Sequence, residues 1–120
     1  IVSPADIDAM GHVNNVVYVR YVQETATAHW QAQASDALKT SVQWVVLRHE
    51  IDYLAPAFEG EALHAKTWVG ETAGVKSVRF VEIVNAVGKP LAKAKTVWCM
   101  LDGKTLKPKR IEPGMMEPFI

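Results

Sequence analysis

The sequence predicts an α+β domain, one long buried helix packed on one antiparallel sheet. Two observations carry that prediction. From residue 15 to about 32, Arg20, Glu24, Thr27 and Gln31 recur at steps of four, three and four, a helical period. After residue 41 the period falls to two, and the strands that follow are joined by links of hairpin length. No strand–helix–strand alternation occurs, so a parallel sheet is not expected.

Taken in chain order, Ile1–Ser3 is read as the end of a first strand. The segment "DIDAMGHVNN" follows, with its acids, its Gly-His pair and its two asparagines, and then the chain turns apolar at "VVYVRYV". Asn14 or Asn15 is placed to cap the helix, since an amide oxygen there satisfies the first free backbone N–H groups. Val16, Val17, Tyr18, Val19, Tyr21, Val22, Ala26 and Trp30 cover the rest of the cylinder, so most of its circumference is expected to be buried. A loop near residues 34–40 closes it. "VQWVVLRHEIDYL" (42–54) reads as a long strand with Val45, Leu47, Ile51 and Tyr53 on one face and Arg48, Glu50 and Asp52 on the other. Pro56 and Gly60 punctuate it. Three strands follow, near 61–70, 75–86 and 90–101, with "GETAG" and "VGKP" as the hairpin loops. "DGKTLKPKR" begins a tail with little strand character.

Composition narrows the function. A chain of 120 residues with no repeat or linker is a single domain spanning 1–120. With 13 basic and 13 acidic residues it lacks the basic excess of a nucleic-acid binder. No apolar run is long enough to span a bilayer. Cys99 is the sole cysteine, which excludes an internal disulfide and fits a reducing, cytoplasmic setting. It lies in an apolar strand and reads as a buried thiol. His12, His29, His49 and His64 are scattered without ligand spacing, so neither a metal nor another cofactor is expected. The chain starts at Ile1 rather than Met, and residues upstream are expected to have been trimmed or left unseen. P-loop, dinucleotide-binding and serine-hydrolase motifs are absent.

One place offers chemistry. The turn before the helix carries Asp8, a possible base or nucleophile, close to a helix N-terminus whose free N–H groups suit an oxyanion. Gly11 lets the backbone bend close to a substrate. On residue types alone, a simple turn and cap formed by Asp8, Gly11 and Asn14 is the preferred reading.

A family resemblance reverses that preference. "DIDAMGHVNNVVYVRYVQE" resembles the D-x-D-x-x-G-H-V-N-N-x-x-Y signature of hotdog-fold acyl thioesterases, the 4-hydroxybenzoyl-CoA thioesterase-like group. "IDYLAPAFEGEAL" (51–63) also looks like that group's second strand and the turn after it, and length and element order match throughout. The resemblance implies a hotdog fold, a long helix wrapped by a five- to six-stranded antiparallel sheet, and hydrolysis of a fatty or aromatic acyl-CoA. It implies Asp8 as the catalytic carboxylate, with Asp6 structural or solvated. It makes Asn15, seven residues on, the donor of the oxyanion N–H. Gly11 matches the family glycine, and His12 a histidine of the plant enzymes, placed to orient a water or the acid. Those enzymes carry an Asn where Met10 stands here, so their full Asp-Asn-His set is incomplete. Tyr18, with Val16 and Asn14, is assigned to substrate binding, and the acyl chain is expected between the helix and a partner subunit of a homodimer or dimer of dimers. A basic cluster, Lys104, Lys107, Lys109 and Arg110, is read as a solvated tail rather than a phosphate site, and Lys93 and Lys95 as outward-facing. The alternatives are an acyl-ACP thioesterase, a non-catalytic acyl-binding hotdog domain, and a hotdog hydratase, whose motif after the helix is missing here.

Overall fold

The computed structural model describes all residues, 1–120. Helix α1 spans Asn15–Gln33 and a short α2 spans Asp36–Ser41. The strands are β1 (Val42–Tyr53), β2 (His64–Ala73), β3 (Lys76–Val84) and β4 (Pro90–Asp102), paired antiparallel in the order β1-β4-β3-β2. Single 3₁₀ turns lie at Pro4–Asp6 and Glu117–Phe119. The α+β class and the helix-on-sheet wrap are as expected.

Several details differ from the sequence expectation. The sheet has four strands, not five or six. Val2 exchanges backbone hydrogen bonds with Gly60 and Glu61, but Pro4 fixes a 3₁₀ turn two residues later, and only an isolated bridge, Ile7 to Val13, follows. Residues 34–40 are not all loop. Ser35 accepts from the Leu38 N–H and starts α2. Most of "GETAG" extends β2, and the turn narrows to Gly74 and Val75, where Gly74 supplies φ +63°.

The largest difference concerns burial. Helix α1 buries only Tyr18, Val22 and Ala26, spaced four apart on one stripe. Arg20, Glu24, Thr27 and Gln31 are exposed as expected, but Val16 is also 74% exposed. The reason is geometric. A four-stranded sheet in one chain reaches one side of a cylinder, and nothing in that chain covers the other.

In β1 the expected faces hold only after the midpoint. Val46 pairs with Trp98 and Arg48 with Val97, so Leu47 is an extra residue, a β-bulge. The bulge reverses the alternation. Trp44 and Val46 lie toward the helix before it, and His49 and Ile51 after it, while Val45 and Leu47 are exposed.

Two clusters form the core. The larger joins Tyr18 and Val22 to Val81, Ile83, Leu91, Ala92 and Ala94 of the sheet. The smaller joins Val42, Val69 and Met100 to the C-terminal segment through Ile111, Met116 and Phe119. Phe119 stacks on Trp30 at 5.2 Å, so the tail closes the far end of α1. Within it, Lys104, Lys107 and Arg110 are exposed, as are Lys93 and Lys95 on β4, and Cys99 is buried.

Candidate active site

The turn at residues 6–15 is held by backbone and side chain together. The Asp8 N–H donates to His12 O at 2.9 Å and the Gly11 N–H to Asp8 O at 3.1 Å. Asp8 Oδ1 accepts the Met10 N–H at 2.9 Å, and Gly11 completes the reversal at φ +85°, a backbone region that glycine occupies without strain. The Asp8 side chain is a quarter exposed, and its Oδ2 makes no hydrogen bond. His12 Nδ1 stands 4.0 Å from Asp8 Oδ1, too far for a hydrogen bond but close enough to favour an ion pair when the imidazole is protonated.

Asp6 has different surroundings. It is 8% exposed, and both of its oxygens receive Arg20 of α1, at 3.1 and 2.6 Å. Its carbonyl accepts the Asn14 N–H at 2.9 Å. This two-pronged contact fastens the turn to the first helical turns and occupies the Asp6 carboxylate fully. The two acids of the motif are thus sorted by environment, one committed to an arginine and one open.

Asn14 is the helix cap. Its Oδ1 accepts the Val16 N–H at 3.0 Å, and its carbonyl accepts the Val17 N–H. The Asn15 N–H, the first of the helix, is left without an acceptor within the chain. Asn15 borders a cavity of about 260 Å³ also lined by His12, Val13, Tyr18, Tyr53 and Leu54–Pro56. The structure therefore brings Gly11, His12, Asn15 and Tyr18 to one end of the helix with Asp8 in the adjoining turn. Asp8 itself lies outside the cavity lining, as do the exposed Asn14 and Val16.

Tyr18 packs edge-on against Tyr53 at 5.6 Å. Burial raises its phenol above the ordinary tyrosine range. The Ala57 backbone offsets part of that effect, but no full hydrogen bond to the hydroxyl forms. Tyr53 was not singled out for the site by sequence. Its hydroxyl donates to the Asn15 carbonyl at 3.2 Å, which ties the end of β1 to the helix start. The signal available was its place at the inner-facing end of a strand, just before the Leu-Ala-Pro turn.

A helix wrapped by an antiparallel sheet, with an open acid and a free helix N–H at one end, defines a hotdog domain of the thioesterase kind. The chain belongs to the thioesterase-like superfamily, whose family model matches residues 2–119. It is 28% identical over 119 residues to the acyl-CoA thioester hydrolase YbgC of Escherichia coli O6:H1, covering 95% of this chain and 87% of that protein. Among solved structures it resembles a Thermus thermophilus thioesterase complexed with coenzyme A and Zn, with a TM-score of 0.84 and 25% identity over 98% of this chain and 91% of the other. It also resembles YbaW, a probable thioesterase of Escherichia coli, with a TM-score of 0.81 and 24% identity over 98% and 90% of the two chains.

Proposed function

We propose that the protein hydrolyses acyl-CoA thioesters to the free acid and CoA. The observation that carries this reading is the unpartnered Asn15 N–H bordering a cavity, with the open carboxylate of Asp8 in the same turn. In the proposed reaction the thioester carbonyl oxygen accepts the Asn15 N–H, and the helix N-terminus stabilises the charge that develops there. Asp8 acts through its free Oδ2. It either removes a proton from a water that attacks the carbonyl, or attacks directly to form a mixed anhydride that water then opens. In both routes the tetrahedral intermediate collapses with loss of the CoA thiolate. Gly11 keeps the turn tight, His12 orients Asp8 or the water, and Tyr18 walls the acyl group. The names of the YbgC relative and of the coenzyme A-bound Thermus structure support the substrate class.

The test is release of free thiol from a panel of acetyl, medium-chain, long-chain and aromatic acyl-CoAs. Turnover of at least one member that scales with enzyme is the expected result. Binding without thiol release across the panel would reduce the protein to an acyl-binding domain.

The active unit is proposed to be a homodimer or a dimer of dimers. β1 is an edge strand with its outer backbone groups unpaired, and exposed Val45 and Leu47 lie along it. Val16 of α1 and Tyr53 and Leu54 at the end of β1 add apolar surface beside the candidate site. Open edges with apolar side chains invite pairing, and a second copy removes both liabilities. Sedimentation at micromolar concentration is expected to give at least twice the chain mass. A monomer that turns over substrate would defeat this part of the proposal.

A further inference from the structure

A second cavity, of about 320 Å³, lies at the other end of α1, bounded by helix residues from Ala26 to Trp30 and by the sheet. Ala26 is eleven residues beyond Asn15, about 16 Å along the helix axis. The cavity volume is at the small end of the range for small-molecule sites, roughly 300–1,000 Å³. Three of the four tryptophans, Trp30, Trp44 and Trp98, line it, and so does Arg79.

Arg79 is the unusual member. It is 6% exposed, yet none of the chain's ion pairs includes it. Its Nη1 donates to His29 Nδ1 at 2.8 Å and to Thr67 Oγ1 at 2.9 Å, and its Nε and Nη2 make no hydrogen bond. A guanidinium only donates, so His29 must accept with an unprotonated Nδ1. Burial first, and the Arg79 charge second, push the His29 pKa down and favour that neutral form. Burial lowers Arg79 itself to about 10, which leaves it charged at neutral pH. Both of its partners are therefore neutral, and a buried cation without an anion is costly. Trp44 and Trp98 each also bury an indole N–H without a partner. The unmet hydrogen-bonding groups at this cavity are donors.

We propose that this cavity binds an apolar carboxylate, whose anionic group pairs with the free edge of Arg79 and whose aromatic or aliphatic body lies among Trp30, Trp44 and Trp98. A planar fork against a carboxylate is the match that guanidinium geometry favours. Two sources share this chemistry. One is a free acid, such as a hydrolysis product held away from the helix N-terminus. The other is the far end of an acyl group that carries its own carboxylate, and this source alone rests on the thioesterase reading.

The probe pair is phenylacetate and its neutral isostere phenylacetamide, titrated calorimetrically into the full chain. Phenylacetate is expected to bind at least tenfold more tightly, and to change the tryptophan emission of both the wild type and Trp68→Phe, because Trp68 lies outside the cavity. Arg79→Met should abolish the preference. If that variant does not fold by circular dichroism, Arg79→Lys, which keeps the charge but loses the fork, should weaken phenylacetate several-fold. Equal or absent binding of the two probes overturns the proposal, as does binding that leaves tryptophan emission unchanged or is indifferent to Arg79. Equal or absent binding is also what a partner-subunit carboxylate already seated on Arg79 would give. The source is read from kcat/KM for tetradecanedioyl-CoA against tetradecanoyl-CoA. An Arg79-dependent advantage assigns the acyl end, and phenylacetate binding without that advantage assigns the free acid. Phenylacetate binding should persist in Asp8→Asn, so failure of the hydrolase reading and failure of this cavity give different results.

Discussion

Asp8→Asn is expected to fold, to bind acyl-CoA and to lose kcat by about 10² or more, the range for a positioned base. Loss of a covalent nucleophile should cost more. The substitution keeps the Oδ1 acceptor that receives the Met10 N–H, so the turn survives, and it removes the negative charge and the basic oxygen at Oδ2. Asp6→Asn provides the contrast. It breaks the charged half of the pair with Arg20, which should lower the melting temperature, while thiol release below that temperature stays within a few-fold of wild type. Thiol release is measured for each purified variant, with binding followed separately. Equal rates for Asp8→Asn and wild type would sink the catalytic role of this acid.

The second large effect is expected at Asn15. Proline there deletes the N–H of the first helical residue, which has no acceptor within the chain, and loss of an oxyanion donor typically costs about 10²–10³ in kcat. The backbone tolerates the change. Asn15 is the first helical residue, where proline fits, and Asn14 already has the extended conformation (φ −62°, ψ 136°) that a following proline requires. Asn15→Ala keeps the N–H and should lose little activity. The Asn14 side chain makes the cap, so neither substitution removes it. A folded proline variant as active as the alanine variant would rule out the Asn15 N–H as the donor.

The helix, the order of the strands and the acidic turn were legible because each is written locally. The stripe of Arg20, Glu24, Thr27 and Gln31 fixes the period, and the Asn14–Asn15 pair shortly after Gly11 marks the helix start. The roles of the two acids were less legible from composition, since Asp6 and Asp8 are equivalent until Arg20 is brought to one of them fourteen residues on. The burial of α1 is not legible, because apolar residues around a cylinder do not reveal how many sides one chain can cover. The faces of the first half of β1 are not legible, because a bulge leaves no mark in a run such as "WVVLRHE". In sequence Arg79 is an ordinary alternating polar residue of β3. Only the packing of His29, Thr67 and three tryptophans around it sets it apart.

The bulge at Leu47 also constrains how this protein can change over generations. Upstream of it β1 carries Trp44 toward the far cavity, and downstream it carries Tyr53 to the Asn15 carbonyl. One supernumerary residue keeps both ends in phase with the same helix. Loss of that single codon would turn one half of the strand over, and either the tyrosine or the tryptophan would face outward. A single insertion or deletion along this segment therefore puts one end out of phase, and a second, compensating one restores it. That rule joins the inheritance of two cavities, one bordered by Asn15 and the other by Ala26 about 16 Å further along the helix.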